Sequence, residues 1–326
     1  MERILVAGGG GFIGSHLARH LHRQGHFVRV ADVKFDDYIE EPYCSEKLLL
    51  DLRAPENCLK ATTGIDKAYN LAANMGGIGF ITSVSADVMH DNVLINAHML
   101  EACVANGVKR FFFASSACVY PNYRQASPDA DGLREGETYP AEPNEAYGWE
   151  KLFAEEMVKA YRRDYGLDVR IARYHNIYGP EGTYEGGREK APAALGRKVA
   201  EAGDPGTITV WGDGRATRSF CYIDDCVMGT EMLMESGYDQ PLNIGSDRLI
   251  SIDELADIIV EISGKKITKV HDVSAPEGVK GRNADLTLAR DILGWEPPTS
   301  LEEGLRRTYA WIKLMVDGDG QAKEAR

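Results

Sequence analysis

Short β-branched runs alternate with amphipathic stretches through the first half of the chain, the pattern of βαβ units around a parallel sheet. Candidate strands fall at residues 4–7, 27–31, 48–50, 68–71, 110–115 and 169–173. Between them, the stretch 92–104 puts Val93, Ala97, Leu100 and Val104 on one helical face. A second long helix is expected over 144–163, after a segment carrying Pro140 and Pro143. Beyond Tyr178-Gly179-Pro180 the pattern changes to glycine-rich loops, a helix from about Ala191, and short strands near 208–211 and 218–222. Helices then recur near 224–235, 252–263 and 301–313. The expected fold is α/β: a Rossmann-type, doubly wound parallel sheet over 1–178, with segments such as 217–250 returning to it. A smaller, interleaved α/β portion over 179–316 would cover a substrate. The polar stretch 317–326 is expected to fray.

Composition narrows the function. The chain has 326 residues, of which 37 are lysine or arginine and 50 are acidic, for a net charge of −13. So acidic a surface repels phosphate backbones at long range, which disfavours nucleic acid and anionic membranes as partners. A phosphorylated small molecule stays open, because a few local cations can dominate inside a cleft. The opening Arg3-Ile4-Leu5-Val6-Ala7 runs straight into glycines and reads as a core strand, not a signal peptide. No apolar run approaches the roughly 20 residues of a bilayer span. The six cysteines show no Cys-x-x-Cys spacing, so reduced thiols in a cytoplasm, and no metal site, are expected.

Gly8-Gly9-Gly10-Gly11-Phe12-Ile13-Gly14 joins a strand to a helix. Missing Cβ atoms at Gly8, Gly11 and Gly14 permit a tight turn and close approach of a pyrophosphate, whose charge the helix amino terminus favours. Such a turn alone is equally a flexible loop. Here Asp32 ends the second strand, where a carboxylate bonds ribose hydroxyls and repels a 2′-phosphate, favouring NAD over NADP. Lys34 lies close enough to weaken that preference, and a solvated turn is the competing reading of Asp32. Asp51-Leu52 and Leu71-Ala72-Ala73, after the third and fourth strands, would line the adenine and pyrophosphate.

Tyr147-Gly148-Trp149-Glu150-Lys151 places Tyr147 and Lys151 on one helical face. Oxidising an alcohol needs a base for its proton while hydride leaves to nicotinamide. Tyrosine titrates near 10, so a shift of about three units, roughly 4 kcal/mol, is required near neutrality. A neighbouring ammonium and the positive nicotinamide could supply it. The spacing is common by chance. Preceded by a glycine turn and by Ser115-Ser116 at a strand end, it becomes specific: the chain resembles the extended branch of the short-chain dehydrogenase/reductase family from end to end.

Later segments agree with that resemblance. Arg173-Tyr174-His175-Asn176-Ile177-Tyr178-Gly179-Pro180 is similar to the family's nucleotide-sugar segment, which implies that Asn176 contacts a diphosphate. Trp211-Gly212-Asp213-Gly214 through Arg218-Ser219-Phe220 is similar to its nucleotide-binding segment. There Arg218 is either a bidentate diphosphate clamp or a surface arginine. Sugar dehydratases of the family would carry an Asp-Glu pair near Ala117-Cys118, and alanine cannot do their chemistry. Cys118 is either a packed core thiol or, with a modest downward shift, a base acting at carbon. Lys190, on a glycine loop entering a helix, is either solvated or that base's partner.

Five segments resemble the GDP-mannose 3,5-epimerase family: Met75-Gly76-Gly77-Ile78-Gly79-Phe80, Ser115 through Pro121, Gly186 through Pro192, Asn243 through Asp247, and Pro276 through Asn283. The resemblance implies an enzyme with tightly bound, recycled NAD. Tyr147 would deprotonate the C4 hydroxyl, Cys118 and Lys190 would act from opposite faces at C5 and then C3, and GDP-L-galactose or GDP-L-gulose would result. Gly76, Gly77, Ser116, Asn243 and Arg282 would help hold the sugar nucleotide. It also implies a homodimer through a four-helix bundle built from 92–104 and 144–163. Asn74 stands where the family's loop carries an aspartate, and the 124–138 loop diverges. Two other readings remain: another nucleotide-sugar 4-epimerase or reductase, and a non-catalytic NAD-binding scaffold, which would not need Ser116, Tyr147 and Lys151 together.

Overall fold

Alternate burial of consecutive side chains builds the centre of the molecule. In the strand Arg110–Ser116, Phe111 and Phe113 enter one apolar core while Phe112 enters another on the opposite face. A strand covered on both faces reads as a continuous apolar run because both phases of its period-2 pattern are buried. The computed structural model describes residues 1–35, 39 and 41–324, with side chains through 318.

The main sheet has seven strands, all parallel. They are β1 (Arg3–Ala7), β2 (Phe27–Asp32), β3 (Glu46–Leu49), β4 (Lys67–Asn70), β5 (Arg110–Ser116), β6 (Asp168–Tyr174) and the late strand Pro241–Ile244. Their spatial order is β3-β2-β1-β4-β5-β6 followed by Pro241–Ile244. The order reverses between β1 and β4, which opens a crevice at their carboxyl ends. Helices α2 (Pro55–Thr62), α4 (Ser85–Ala105) and α5 (Glu145–Tyr165) cover one face, and α1 (Phe12–Arg23) and α7 (Ile223–Glu235) the other. The short α3 (Ile78–Ser83) precedes α4 at the mouth of the crevice.

Above the crevice sits a cap. Its parallel pair Gly206–Trp211 and Ile267–Asp272 joins α6 (Ala191–Glu201), α8 (Ile252–Ser263) and α10 (Leu301–Glu324), with α9 (Thr287–Leu293) at its border. A three-stranded patch orders Ile250–Ser251, Thr217–Arg218 and Gly281–Arg282 side by side. No helix among the described residues is long and apolar enough to cross a membrane.

Four elements differ from the sequence expectation. Helix α4 begins at Ser85, not 92, because its first two turns are mainly polar and only Val88 among them is fully buried. The strands Pro241–Ile244 and Ile267–Asp272 were not among the candidates; the second is short, half-exposed and interrupted by Lys269 and His271. Residues 317–324, expected to fray, continue α10. Glu302 and Glu303 favour its amino terminus, and Lys313 bonds Asp317 four residues on at 3.0 Å. Residues 325 and 326 lie outside the described residues.

One buried ion pair fixes α5 against the sheet. Arg173 on β6 gives Glu155 on α5 two hydrogen bonds, Nε to Oε1 at 2.9 Å and Nη2 to Oε2 at 2.7 Å. Ser115 donates to the same carboxylate at 2.5 Å, and Arg173 also donates to the Glu135 carbonyl. Removing one partner strands a buried charge. We expect E155A to lose about 3–5 kcal/mol of stability in urea unfolding; a loss below about 1 kcal/mol would contradict this role.

Candidate active site

The crevice is floored by the glycine turn. Gly8 has φ +80°, and a Cβ there would lie 2.7 Å from the Ala72 nitrogen. A Cβ on Gly14 would lie 2.1 Å from the Gly8 carbonyl oxygen, so strand, turn and helix touch through bare backbone. Helix α1 starts at Gly11 with no side-chain cap, leaving the N–H groups of Phe12, Ile13 and Gly14 facing its amino-terminal opening. Asp32, at the end of β2, accepts from the N–H groups of Gly10 at 3.0 Å and Val33 at 2.7 Å. Burial pushes its carboxyl up, opposed by those N–H donors and by Lys34. A cradle that any Cβ would fill, an uncapped helix end and a fixed carboxylate beyond the second strand together fit a dinucleotide.

The flanking positions are less uniform. Leu71 donates its N–H to Ala7, which aligns Ala72 and Ala73 along the crevice. Asp51 is occupied by Arg53, whose guanidinium lowers its pKa, and the Leu52 side chain is sunk in the core. The Leu52 carbonyl accepts from the Cys58 thiol at 3.1 Å, so the backbone N–H is what Leu52 has left to offer a ligand.

At the carboxyl end of β5, Ser116 caps the short helix Ala117–Val119 by accepting from the Cys118 N–H at 3.2 Å. The same hydroxyl favours the Tyr147 phenolate and lowers the Tyr147 pKa. Tyr147 and Lys151 are both buried, with the Lys151 ammonium 5.6 Å from the Tyr147 ring and 4.8 Å from that of Phe113. Without a ligand, burial pushes the Tyr147 phenol well up, and Glu150 and Cys118 push the same way. Burial lowers Lys151, opposed by Glu150, Cys118 and Glu155. With burial raising the phenol, a positive charge beside it would favour the phenolate.

The cap delivers Arg282 to this floor. Its Nε donates to Gln125 at 2.5 Å and its Nη1 to the Cys118 sulfur at 3.3 Å. Burial raises the Cys118 thiol, but Arg282, Ser116 and Lys190 outweigh it and the net shift is downward. Lys190 stands at the N-cap of α6, crowded by protein yet open to the cleft. Crowding lowers its pKa, the Cys118 charge opposes this, and Arg282 adds to it. Because solvent reaches the ammonium, the lowering is moderated until a ligand fills the cleft. Arg218 pairs with Arg282 in register across two strands, and burial followed by its arginine neighbour brings it down to about 10. Among the described residues neither guanidinium has a carboxylate within salt-bridge distance, an arrangement suited to an anionic ligand.

The loop Met75 to Phe80 closes over the same space. The Gly77 N–H donates to the Arg188 carbonyl at 3.0 Å, and a Cβ on Gly77 would meet the Glu189 carbonyl oxygen at 2.8 Å. Gly76 packs against Phe80, over which Arg188 stacks at 3.7 Å. Asn176, held at φ 43°, donates its amide to the Ser219 carbonyl at 2.9 Å. Asn243 needs correction as a candidate ligand contact. It is fully buried, accepts from Tyr120 and His175, and donates to the carbonyls of Leu133 and Asp285. With no group left over, it serves the fold.

Sequence reasoning missed Gln125, which orients Arg282 while donating to the Tyr120 and Pro121 carbonyls. No local signal marks it, since the contact spans 157 residues. It also passed over Glu150, although Glu150 stands beside Lys151 in the motif itself.

Comparison with known proteins places the chain among nucleotide-sugar epimerases in sequence and fold. GDP-mannose 3,5-epimerase 1 of Oryza sativa subsp. japonica is 49% identical over 97% of this chain and 82% of its own length. GDP-mannose 3,5-epimerase of Arabidopsis thaliana is 48% identical over 97% and 83%. Among solved structures, UDP-glucose 4-epimerase of Thermotoga maritima with UDP-glucose matches with TM-score 0.87 and 27% identity, over 96% of this chain and 99% of that one. The Thermus thermophilus UDP-glucose 4-epimerase complexed with NAD matches with TM-score 0.82 and 25% identity, over 95% and 99%. Residues 4–245, carrying the glycine turn, Cys118 and the Tyr147–Lys151 pair, match the family model as well, and the chain belongs to the NAD dependent epimerase/dehydratase family.

Proposed function

We propose that this chain epimerises GDP-mannose at C3 and C5 through a 4-keto intermediate, giving GDP-L-galactose, GDP-L-gulose or both. The observation that carries the reading is Cys118: a thiol at the end of β5, bonded by Arg282, within electrostatic reach of Lys190 and adjoining Ser116 and Tyr147. A 4-epimerase has no use for a carbon base in that position. NAD would be held by Gly8, Gly11, Phe12, Ile13, Gly14, Asp32, Leu71, Ala72 and Ala73, with Asp51 and the Leu52 backbone at the adenine side. The sugar nucleotide would lie against Gly76, Gly77, Ser116, Asn176, Lys190, Arg218 and Arg282.

The chemistry follows from the side chains. Ser116 holds the C4 hydroxyl and Tyr147 takes its proton, the phenolate being favoured once positive charge adjoins it. Bound NAD supplies the acceptor for the C4 hydride and its later donor. A 4-ketone acidifies the hydrogens on C5 and C3, because each carbanion is delocalised as an enolate. The Cys118 thiolate removes a proton from one face and the Lys190 ammonium gives one to the other. That leaves a thiol and a neutral amine, so a proton must pass back before a second inversion. The solvent access of Lys190 provides the route.

In D2O the wild-type protein is expected to place deuterium on C3 and C5 of recovered GDP-sugar, read by NMR; absence of carbon-bound label would remove the double-epimerase reading. C118A and K190A should lower that exchange by roughly 10²–10⁴ while still forming a 340 nm absorbance on oxidation at C4, and Y147F should lose both. Because Arg282 lowers the Cys118 pKa, R282M should move the pH midpoint of Cys118 alkylation upward. An unchanged midpoint would show that the guanidinium does not set the thiol.

We also propose a homodimer through α4 and α5. Trp149 and Phe153 lie four apart on the outer face of α5 at 47% and 55% exposure, and Met89 on α4 is exposed too. Large apolar groups so placed favour a helical partner. Light scattering should give twice the monomer mass for wild type and a monomer for F153E; a monomeric wild type would refute the arrangement. The six free cysteines, four of them buried, fit a reducing compartment such as the cytoplasm.

A further inference from the structure

Glu150 lies inside α5 at 1% exposure. A carboxylate so placed is costly unless other groups meet it. Its Oε1 accepts from Asn92 Nδ2 at 2.8 Å and stands 3.9 Å from the Lys151 ammonium. Its Oε2 is buried with no hydrogen-bond partner. Asn92, fully buried on α4, is committed to one other residue: its Oδ1 accepts from the Asn74 N–H at 2.6 Å, and its Nδ2 also donates to the Asn74 carbonyl at 3.2 Å. Asn74 leads directly into Met75-Gly76-Gly77. A continuous chain of polar contacts therefore runs from Lys151, through Glu150 and Asn92, to the backbone of the loop over the cleft.

We propose that Glu150 is a positioning residue that couples the hydride-transfer pair to the sugar-facing loop, holding Lys151 with one charge and Asn74 through the Asn92 amide. The inference rests on the reading of Tyr147 and Lys151 given above. Helical spacing supports it. Glu150 follows Tyr147 by three residues and precedes Lys151 by one, so its side chain leaves α5 on the side of Tyr147 and meets α4. The other charged groups nearby are already answered. Cys118 approaches from the short helix beyond β5 and is bonded by Arg282. On β6, Arg173 is paired with Glu155. On α4, Asp91 binds Arg53 and the Asn74 amide. Glu150 is thus the anion that faces the pair most directly.

That placement has a chemical consequence. A nearby carboxylate opposes loss of the Tyr147 proton and favours its return. An epimerase must do both in one turnover, since the proton removed on oxidation at C4 is needed again on reduction. Glu150 keeps the phenol from becoming so acidic that the return step fails.

The test compares wild type, E150Q and E150A with NAD and GDP-mannose across pH, and follows hydrogen–deuterium exchange of residues 71–83 without substrate. E150Q retains an acceptor for Asn92 but no charge. Its loop should stay protected while the acidic limb of the turnover profile moves down by about one unit. E150A removes both contacts, so loop exchange should quicken several-fold and KM should rise. An E150Q profile that superimposes on wild type, or an E150A loop that exchanges as wild type does, would overturn the proposal. Should E150A not fold, N92A carries the loop arm with the same expected and contrary results. Wild-type turnover in the same assay separates the two readings. Its absence refutes the epimerase reading, whereas turnover with an unmoved E150Q profile refutes only the role of Glu150.

Discussion

The Arg173 guanidinium, buried between β6 and α5, holds the Glu155 carboxylate through two hydrogen bonds and so fixes the register of helix against sheet. Tyr147 and Lys151 ride on that helix; Ser116 and Cys118 end the neighbouring strand. Ser115 adds its hydroxyl to the same carboxylate, so the sheet edge that presents Ser116 is tied to the helix that presents Tyr147. A buried pair of this kind is weak evidence for net stability, because both ions lose their water. What it gives is placement: the carboxylate is fully met only when strand and helix stand in one relation.

Charge then decides what the placed groups can do. Burial works against every ion on the floor, raising Tyr147 and Glu150 and lowering Lys151. Cys118 escapes this rule because the cap brings Arg282 to within 3.3 Å of its sulfur. The thiol is thus held down by charges of the polypeptide itself, whereas burial holds the phenol up. Lys151 stands 5.6 Å from the Tyr147 ring, while burial lowers its own pKa. The floor is short of positive charge, which a cationic nicotinamide is suited to provide.

The cap and the floor meet through backbone as well as through Arg282. Gly77 on the loop after β4 bonds Arg188 on the loop before α6, and the missing Cβ of Gly77 permits that approach. Lys190 is two residues further on, so its position depends on a loop from the other half of the chain. Asn74 is equally revealing. Its amide donates to Asp91 at 3.2 Å, where an aspartate would set two carboxylates against each other.

The sheet, the glycine turn, Asp32 and the Tyr147–Lys151 pair were all legible before folding, because each is written in local order: a strand, a turn that tolerates no side chain, a helix with two groups one turn apart. Cys118 and Lys190 were paired through resemblance alone, not through any local pattern. The grip of Arg282 on the thiol and the role of Gln125 arise from contacts across more than a hundred residues, which no periodicity encodes. Asn243 shows the converse. It sits in a segment that resembles a binding motif, and only the packing of Tyr120, His175 and Leu133 around it reveals an amide with nothing left to offer a ligand. Local physics chose the elements; burial and long-range closure decided which of their side chains remained free to act.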